Sequence, residues 1–204
     1  IYYDKKNNAM WFGTHLGGLD RLDLNSDRFT NYKHNYDNPK SIPSNIVRDI
    51  VPYNNKLVLA TDNGIGLFDI KSGECAPLFD ESKQNQTIKD VLDLHLDHLD
   101  NLWISVAGEG VYKYNLETKE LTNYRHRPND IKSLSNNNIN SIAQDSRNLL
   151  YFCTSGRGID VFDYETETFK NYNSEKNNLI GDFVYNIQEA APDDYLIITN
   201  RGFS

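Results

Sequence analysis

Short apolar runs alternate with turn residues along the whole chain, and none of them keeps the 3.6-residue period of an amphipathic helix. Residues 103–106 are apolar and aromatic apart from Ser105. A small polar turn with Gly108 and Gly110 follows, and then a second apolar run that closes on Asn115. The same pattern fills 11–23, 57–69 and 151–163 and begins again at Tyr195. Its turn glycines Gly18, Gly64, Gly110, Gly158 and Gly202 stand 46, 46, 48 and 44 residues apart. Spacing this regular marks a repeat architecture.

Each repeat predicts about four strands. They are expected at 11–14, 19–24 and 29–32, after the end of one strand and a turn at 4–8. The next set lies at 47–51, 57–61, 65–70 and 74–79, the third at 88–96, 102–106, 111–115 and 120–124, and the fourth at 139–144, 150–154, 159–163 and 169–172. Two more follow at 183–189 and 195–199. The second strands (57–60 and 149–153) are apolar on both faces, so both faces of their sheets must be covered. Stacked blades do this, whereas a two-layer sandwich leaves one face wet and does not require a constant repeat. The predicted fold is all-β, a β-propeller of four-stranded antiparallel blades. Its repeats fall at approximately 1–45, 46–87, 88–138 and 139–182, with an incomplete one at 183–204.

Some repeats match more closely than strand pairing requires. Asn31-Tyr32-Lys33-His34 recurs 92 residues on as Asn123-Tyr124-Arg125-His126, and Lys40-Ser41-Ile42 recurs at the same offset as Lys132-Ser133-Leu134. Together with the run 133–158, Trp11-Phe12-Gly13-Thr14 and Trp103-Ile104-Ser105, this resembles the two-component-regulator propeller repeat. That repeat builds the sensor regions of hybrid histidine kinases in gut Bacteroides-type bacteria. The second repeat departs from the pattern, with Leu57 in the tryptophan position. The resemblance implies seven-bladed propellers, so four to five blades are expected here as a piece of a longer protein. It further implies a periplasmic location, an oligosaccharide ligand, and signalling to a kinase outside these residues. The expected partners are the remaining blades, a neighbouring propeller and a second copy of the chain. No cofactor is expected.

Charge narrows the alternatives. The formal net charge is −8 and the basic residues are scattered, which argues against nucleic acid as a partner. Cys75 and Cys153 are too few for a disulfide framework. Asn85-Gln86-Thr87 matches a glycosylation acceptor. His95 and His98 would project to opposite faces of a strand and so would not share a metal ion, and the run 97–101 lacks the glycine and distant glutamate of a calcium loop. No catalytic constellation is evident.

Topology supplies the candidate site. In a four-stranded meander the turn between second and third strands shares an end with the connection to the next blade. That end gathers His15, Asp62, Glu109, Arg157 and Arg201 from the turns, and His34, Tyr36, His126, Arg127 and Tyr185 from the connections. The candidate ligand-binding residues are His34, Tyr36, His126, Arg127, Arg157, Tyr185 and Arg201, whose aromatic, imidazole and guanidinium groups suit a polar ligand. A propeller lyase or glycoside hydrolase, and a protein-interaction scaffold, are the alternative readings.

Overall fold

The computed structural model describes residues 1–79 and 88–203, so the acceptor triplet at Asn85 lies outside the described residues. The chain forms two compact units, 1–92 and 93–204.

The first unit holds two four-stranded antiparallel meanders. One is β1 (Tyr2–Asp4), β2 (Ala9–Gly13), β3 (Leu19–Asp23) and β4 (Arg28–Tyr32). The other is β5 (Val47–Tyr53), β6 (Lys56–Thr61), β7 (Gly64–Asp69) and β8 (Cys75–Pro77). The second unit holds the third sheet, whose first strand begins at the unit boundary: β9 (Val91–Leu96), β10 (Asn101–Val106), β11 (Gly110–Asn115) and β12 (Leu121–Tyr124). The fourth is β13 (Ile139–Gln144), β14 (Leu150–Thr154), β15 (Ile159–Asp163) and β16 (Thr168–Tyr172). A three-stranded sheet follows, β17 (Val184–Ala191), β18 (Asp194–Thr199) and β19 (Gly202–Phe203).

The double-sided apolar pattern of the second strands is explained by packing. Every residue of β10 and β14, and all of β6 after Lys56, is buried. In the first unit Trp11 and Leu19 of one sheet pack against Ile50, Leu57, Leu59 and Phe68 of the next. In the second, Trp103 and Val111 pack against Ile142, Leu150, Phe152, Phe162 and Phe169. Full burial of each such side chain contributes about 1.5–3 kcal/mol, so these interfaces between blades form the core.

Boundaries differ from expectation where local chemistry intervenes. The third sheet starts at Val91 rather than residue 88 because Asp90 takes a left-handed φ of 48°. Strand β8 ends at Pro77, which has no N–H to donate. Residues 174–177 form a single helical turn, α1 (Ser174–Asn177), capped by the Asn173 side chain and stopped by left-handed Asn178. The first strands of the second, fourth and fifth sheets carry a bulge at Arg48, Asn140 and Tyr185. A bulge re-aims a side chain. Arg48 Nη1 donates to Val91 O at 3.0 Å within the first unit, and in the second Asn140 Nδ2 donates to Val184 O at 2.7 Å, tying the fourth sheet to the first strand of the fifth.

Candidate functional site

Both long connections between paired blades are built by one clasp. His34 Nδ1 is 2.8 Å from Ile42 O, and its backbone N–H donates to Asn45 Oδ1 at 2.8 Å. Ninety-two residues on, His126 Nδ1 is 2.7 Å from Leu134 O and its N–H donates to Asn137 Oδ1 at 2.7 Å. Asn35 N donates to Ser41 Oγ and Arg127 N to Ser133 Oγ, both at 2.9 Å. The clasp anchors to the neighbouring hairpin through Gly18 N to Asn45 O and Gly110 N to Asn137 O, both 2.9 Å. Gly110 is required there: its φ is 78°, and a Cβ would stand 2.2 Å from Tyr124 O. The histidines recognised in the sequence therefore each commit Nδ1 to holding the loop, and only Nε2 is left for a ligand.

In the second unit this clasp forms one wall of a notch of about 350 Å³ between the third and fourth blades, lined by Gly108, His126, Ser135, Arg157 and the three asparagines Asn136, Asn137 and Asn138. The asparagines fix the wall. Asn136 Nδ2 donates to Ser155 O at 2.7 Å, and Asn138 Oδ1 accepts from Gly108 N at 2.9 Å. Beneath lies Asp160, fully buried, which sequence reasoning did not single out. Its Oδ2 accepts from Ser135 N and Oγ at 2.8 and 2.9 Å, and its Oδ1 accepts from Asn171 Nδ2 at 2.8 Å. Asn171 also donates to Arg157 O at 2.8 Å. One carboxylate thus fixes both the Ser135 wall and the Arg157 turn. Burial pushes its carboxyl above the ordinary range, against the pull of its hydrogen bonds from Ser135 and Asn171.

The notch unites His126 with Arg157. A second cleft of about 270 Å³, in the first unit, is lined by His34 and Tyr36 among others. Their rings meet edge to face at 4.6 Å, and Tyr36 is 95% exposed. Arg127, Tyr185 and Arg201 line neither. Arg127 is exposed beside the clasp, Tyr185 occupies the bulge of β17 against Phe183 at 5.0 Å, and Arg201 sits in the β18–β19 turn. Among the described residues no hydrogen bond or ion pair engages the guanidinium group of Arg127, Arg157 or Arg201. Arg147, in the turn at the other end of the fourth blade, is instead paired with Asp145 and Asp193.

That other end is a polar belt. Asp97 Oδ1 accepts from Leu99 N and Asn101 N at 2.9 Å, while Oδ2 accepts from Trp103 Nε1 at 2.7 Å and Tyr164 Oη, on the next blade, at 3.1 Å. Asp145 repeats the device with Leu149 N, Tyr151 Oη and Tyr195 Oη at 2.8, 3.0 and 2.6 Å. Burial raises the Asp145 carboxyl, but these hydrogen bonds outweigh it and hold the group below its usual value. The run 97–101 is thus a turn cap. In the first blade, among the described residues, Asp4 serves only Asn7, at 3.1 and 2.7 Å, and the buried Trp11 Nε1 has no partner. Leaving such a donor unpaired costs about 1–3 kcal/mol.

His95 lies in β9, where burial lowers its pKa, and His98 lies in the following turn at 5.0 Å from the Tyr164 ring. Among the described residues no cluster of three metal-ligating side chains occurs. Cys75 and Cys153 are free and buried. No helix of the structure is long and apolar enough to cross a membrane.

A chain of antiparallel four-stranded meanders packed face to face through their second strands is a β-propeller. The comparisons agree. Residues 133–156 match the family described as two component regulator propeller. A histidine kinase of Formosa agariphila is 23% identical over 152 residues, covering 73% of this chain and 11% of the relative. The extracellular domain of a hybrid two component system from B. thetaiotaomicron superposes with a TM-score of 0.83 at 21% identity, covering 100% of this chain and 26% of that one. The surface component PorZ of the type-IX secretion system of Porphyromonas gingivalis follows the same fold with a TM-score of 0.73 at 13% identity, over 98% of this chain and 30% of that one. The chain thus spans about a tenth of the curated relative and about a quarter of the first of these structures.

Proposed function

We propose that this chain is part of the ligand-sensing, periplasmic region of a hybrid two-component sensor kinase, and that its ligand is an oligosaccharide. The observation that carries the reading is the notch between the third and fourth blades. There the Arg157 guanidinium, unpaired among the described residues, and the free nitrogen of His126 face a polar cleft over walls fixed by Asp160 and the asparagines. The repeat and the extracellular domains it resembles supply the sensory context. A ligand here bridges two blades and transmits a signal by favouring one arrangement of propellers or protomers over another, limited by its differential affinity for the two. The kinase chemistry lies outside these residues, and this segment binds without catalysis.

Thermal unfolding with a panel of neutral and acidic oligosaccharides, followed by assay of the mixtures, tests this reading. Ligand at 100 times Kd stabilises by about 2.7 kcal/mol, which is several degrees in Tm for a chain of this size. A shift with intact sugar supports the sensor. A shortened or unsaturated sugar means an enzyme, and no shift with any sugar leaves a protein scaffold.

A further inference from the structure

The groove between paired blades, at the end opposite the clasp, is filled in one unit and open in the other. Between the third and fourth blades it is closed by the hairpin after β15. Tyr164 Oη donates to Asp97, and Glu167 takes the ammonium of Lys113, which lies 5.9 Å above the Trp103 ring. The first two blades have the same frame. Arg21 stands 5.9 Å over Trp11, and Trp11 and Tyr32 stack at an interplanar angle of 28°, as Trp103 and Tyr124 do. The hairpin after β7, however, carries Ile70 where the other has Tyr164, and Gly73 where it has Glu167. The hydroxyl and the carboxylate are both missing. A cleft of about 770 Å³ remains, lined by Arg21, Lys6, Lys56 and Lys71.

The chemistry left in this cleft is specific. Its four cations outnumber its two acids, although the whole chain carries −8. Both acids are occupied: Asp4 caps Asn7, and Asp69 caps Lys71 and Ser72. Arg21 has only a 3.4 Å contact with Asp23 on its own strand, and Lys6 is bound to the neutral amide of Asn55. Among the described residues Lys56 and Lys71 form no ion pair. Tyr2 and Tyr32 add ring faces and asparagines add amides, the groups that suit a sugar ring. The adjoining Trp11 N–H is buried without an acceptor among the described residues.

We propose that this cleft binds the acidic unit of a saccharide, with Arg21 receiving the sugar carboxylate where Lys113 receives Glu167, and sugar hydroxyls standing where the Tyr164 hydroxyl stands. In naming a saccharide the inference rests on the sensor reading above. It places a second subsite at the end of the blades opposite the notch. Isothermal titration of the full chain with digalacturonate, and with its neutral counterpart galactobiose, tests it. Digalacturonate binds saturably. Arg21→Gln weakens it at least tenfold, Ile70→Tyr, which returns the closing phenol, weakens it comparably, and Lys176→Gln, exposed in α1 and lining neither the cleft nor the notch, leaves it within twofold. Thermal unfolding of each variant confirms a folded chain, and Ile70→Tyr, in a surface hairpin, keeps the test alive if Arg21→Gln unfolds. Absence of digalacturonate binding, or binding indifferent to both Arg21→Gln and Ile70→Tyr, overturns the proposal. Digalacturonate binding that is abolished by Arg157→Gln and untouched by Arg21→Gln overturns it too, while leaving the sensor reading standing.

Discussion

The first and second blades, compared with the third and fourth, show one repeat used twice with different outcomes. Both pairs share the histidine clasp, the tryptophan–tyrosine stack and the cation above the indole. Both seat the last strand by the same backbone bond, Cys75 N to Lys40 O at 2.7 Å and Phe169 N to Lys132 O at 2.8 Å. They differ in what meets across the blades. In the later pair Asp97, Trp103 and Tyr164 satisfy one another, whereas in the earlier pair Asp4 and Trp11 do not meet and the groove stands open. The lesson is that backbone hydrogen bonds set the frame of a blade, while side chains at the hairpin ends decide whether the space between blades is core or cleft.

The sharpest way to break the comparison is to remove the carboxylates. Asp97→Ala strips a partner from Trp103, Tyr164, Asn101 and Leu99 together, and chemical denaturation should show a loss above about 3 kcal/mol. Asp4→Ala, with only Asn7 to lose, should cost about 1 kcal/mol. Equal losses would contradict the contrast. Next in size, Trp103→Phe should destabilise by about 1–2 kcal/mol more than Trp11→Phe, because only the former gives up a hydrogen bond to a charged group.

The two buried acids of the fourth blade should then separate by pH. Asp145 is held low in the folded state, so its contribution is present above the unfolded carboxylate value of about 3.9 and fades as pH falls through the depressed one. The stability gap between wild type and Asp145→Asn should therefore close on acidification. Asp160 is raised, so its contribution is full below that unfolded value and is lost as pH rises through the folded one. Wild type should lose ground to Asp160→Asn as pH rises from about 4. Denaturation midpoints from pH 3 to 8 would reveal the opposite slopes. Smallest of all, Arg157→Ala should change stability by no more than about 0.5 kcal/mol, since among the described residues nothing engages its guanidinium and its backbone bonds survive the substitution.

Much of the frame was legible in the sequence. The glycine period located the turns, and the apolar runs at 57–60 and 149–153 required sheets covered on both faces. The 92-residue echo of Asn-Tyr-basic-His located both clasps. It could not show that each imidazole spends Nδ1 on a carbonyl eight residues away, because that depends on how the loop folds back. Asp160 was invisible for a similar reason. It sits in an ordinary alternating strand, and its burial is created by Ser135 arriving from 25 residues earlier. The open groove rests on Ile70 and Gly73 failing to reach across blades, which becomes a signal only when the hairpins after β7 and β15 are laid over one another.

The most direct test of the sensor reading is an amide NMR titration of the isotopically labelled chain with a neutral and an acidic oligosaccharide, following the sugar resonances in the same tube. The account predicts saturable shifts centred on Gly108, Ser135 and Arg157, or on Asn7, Arg21 and Asn55 for the acidic sugar, with the sugar signals unchanged in number. Shifts that never saturate or that gather at neither end of the blades, or new sugar signals from turnover, would contradict it.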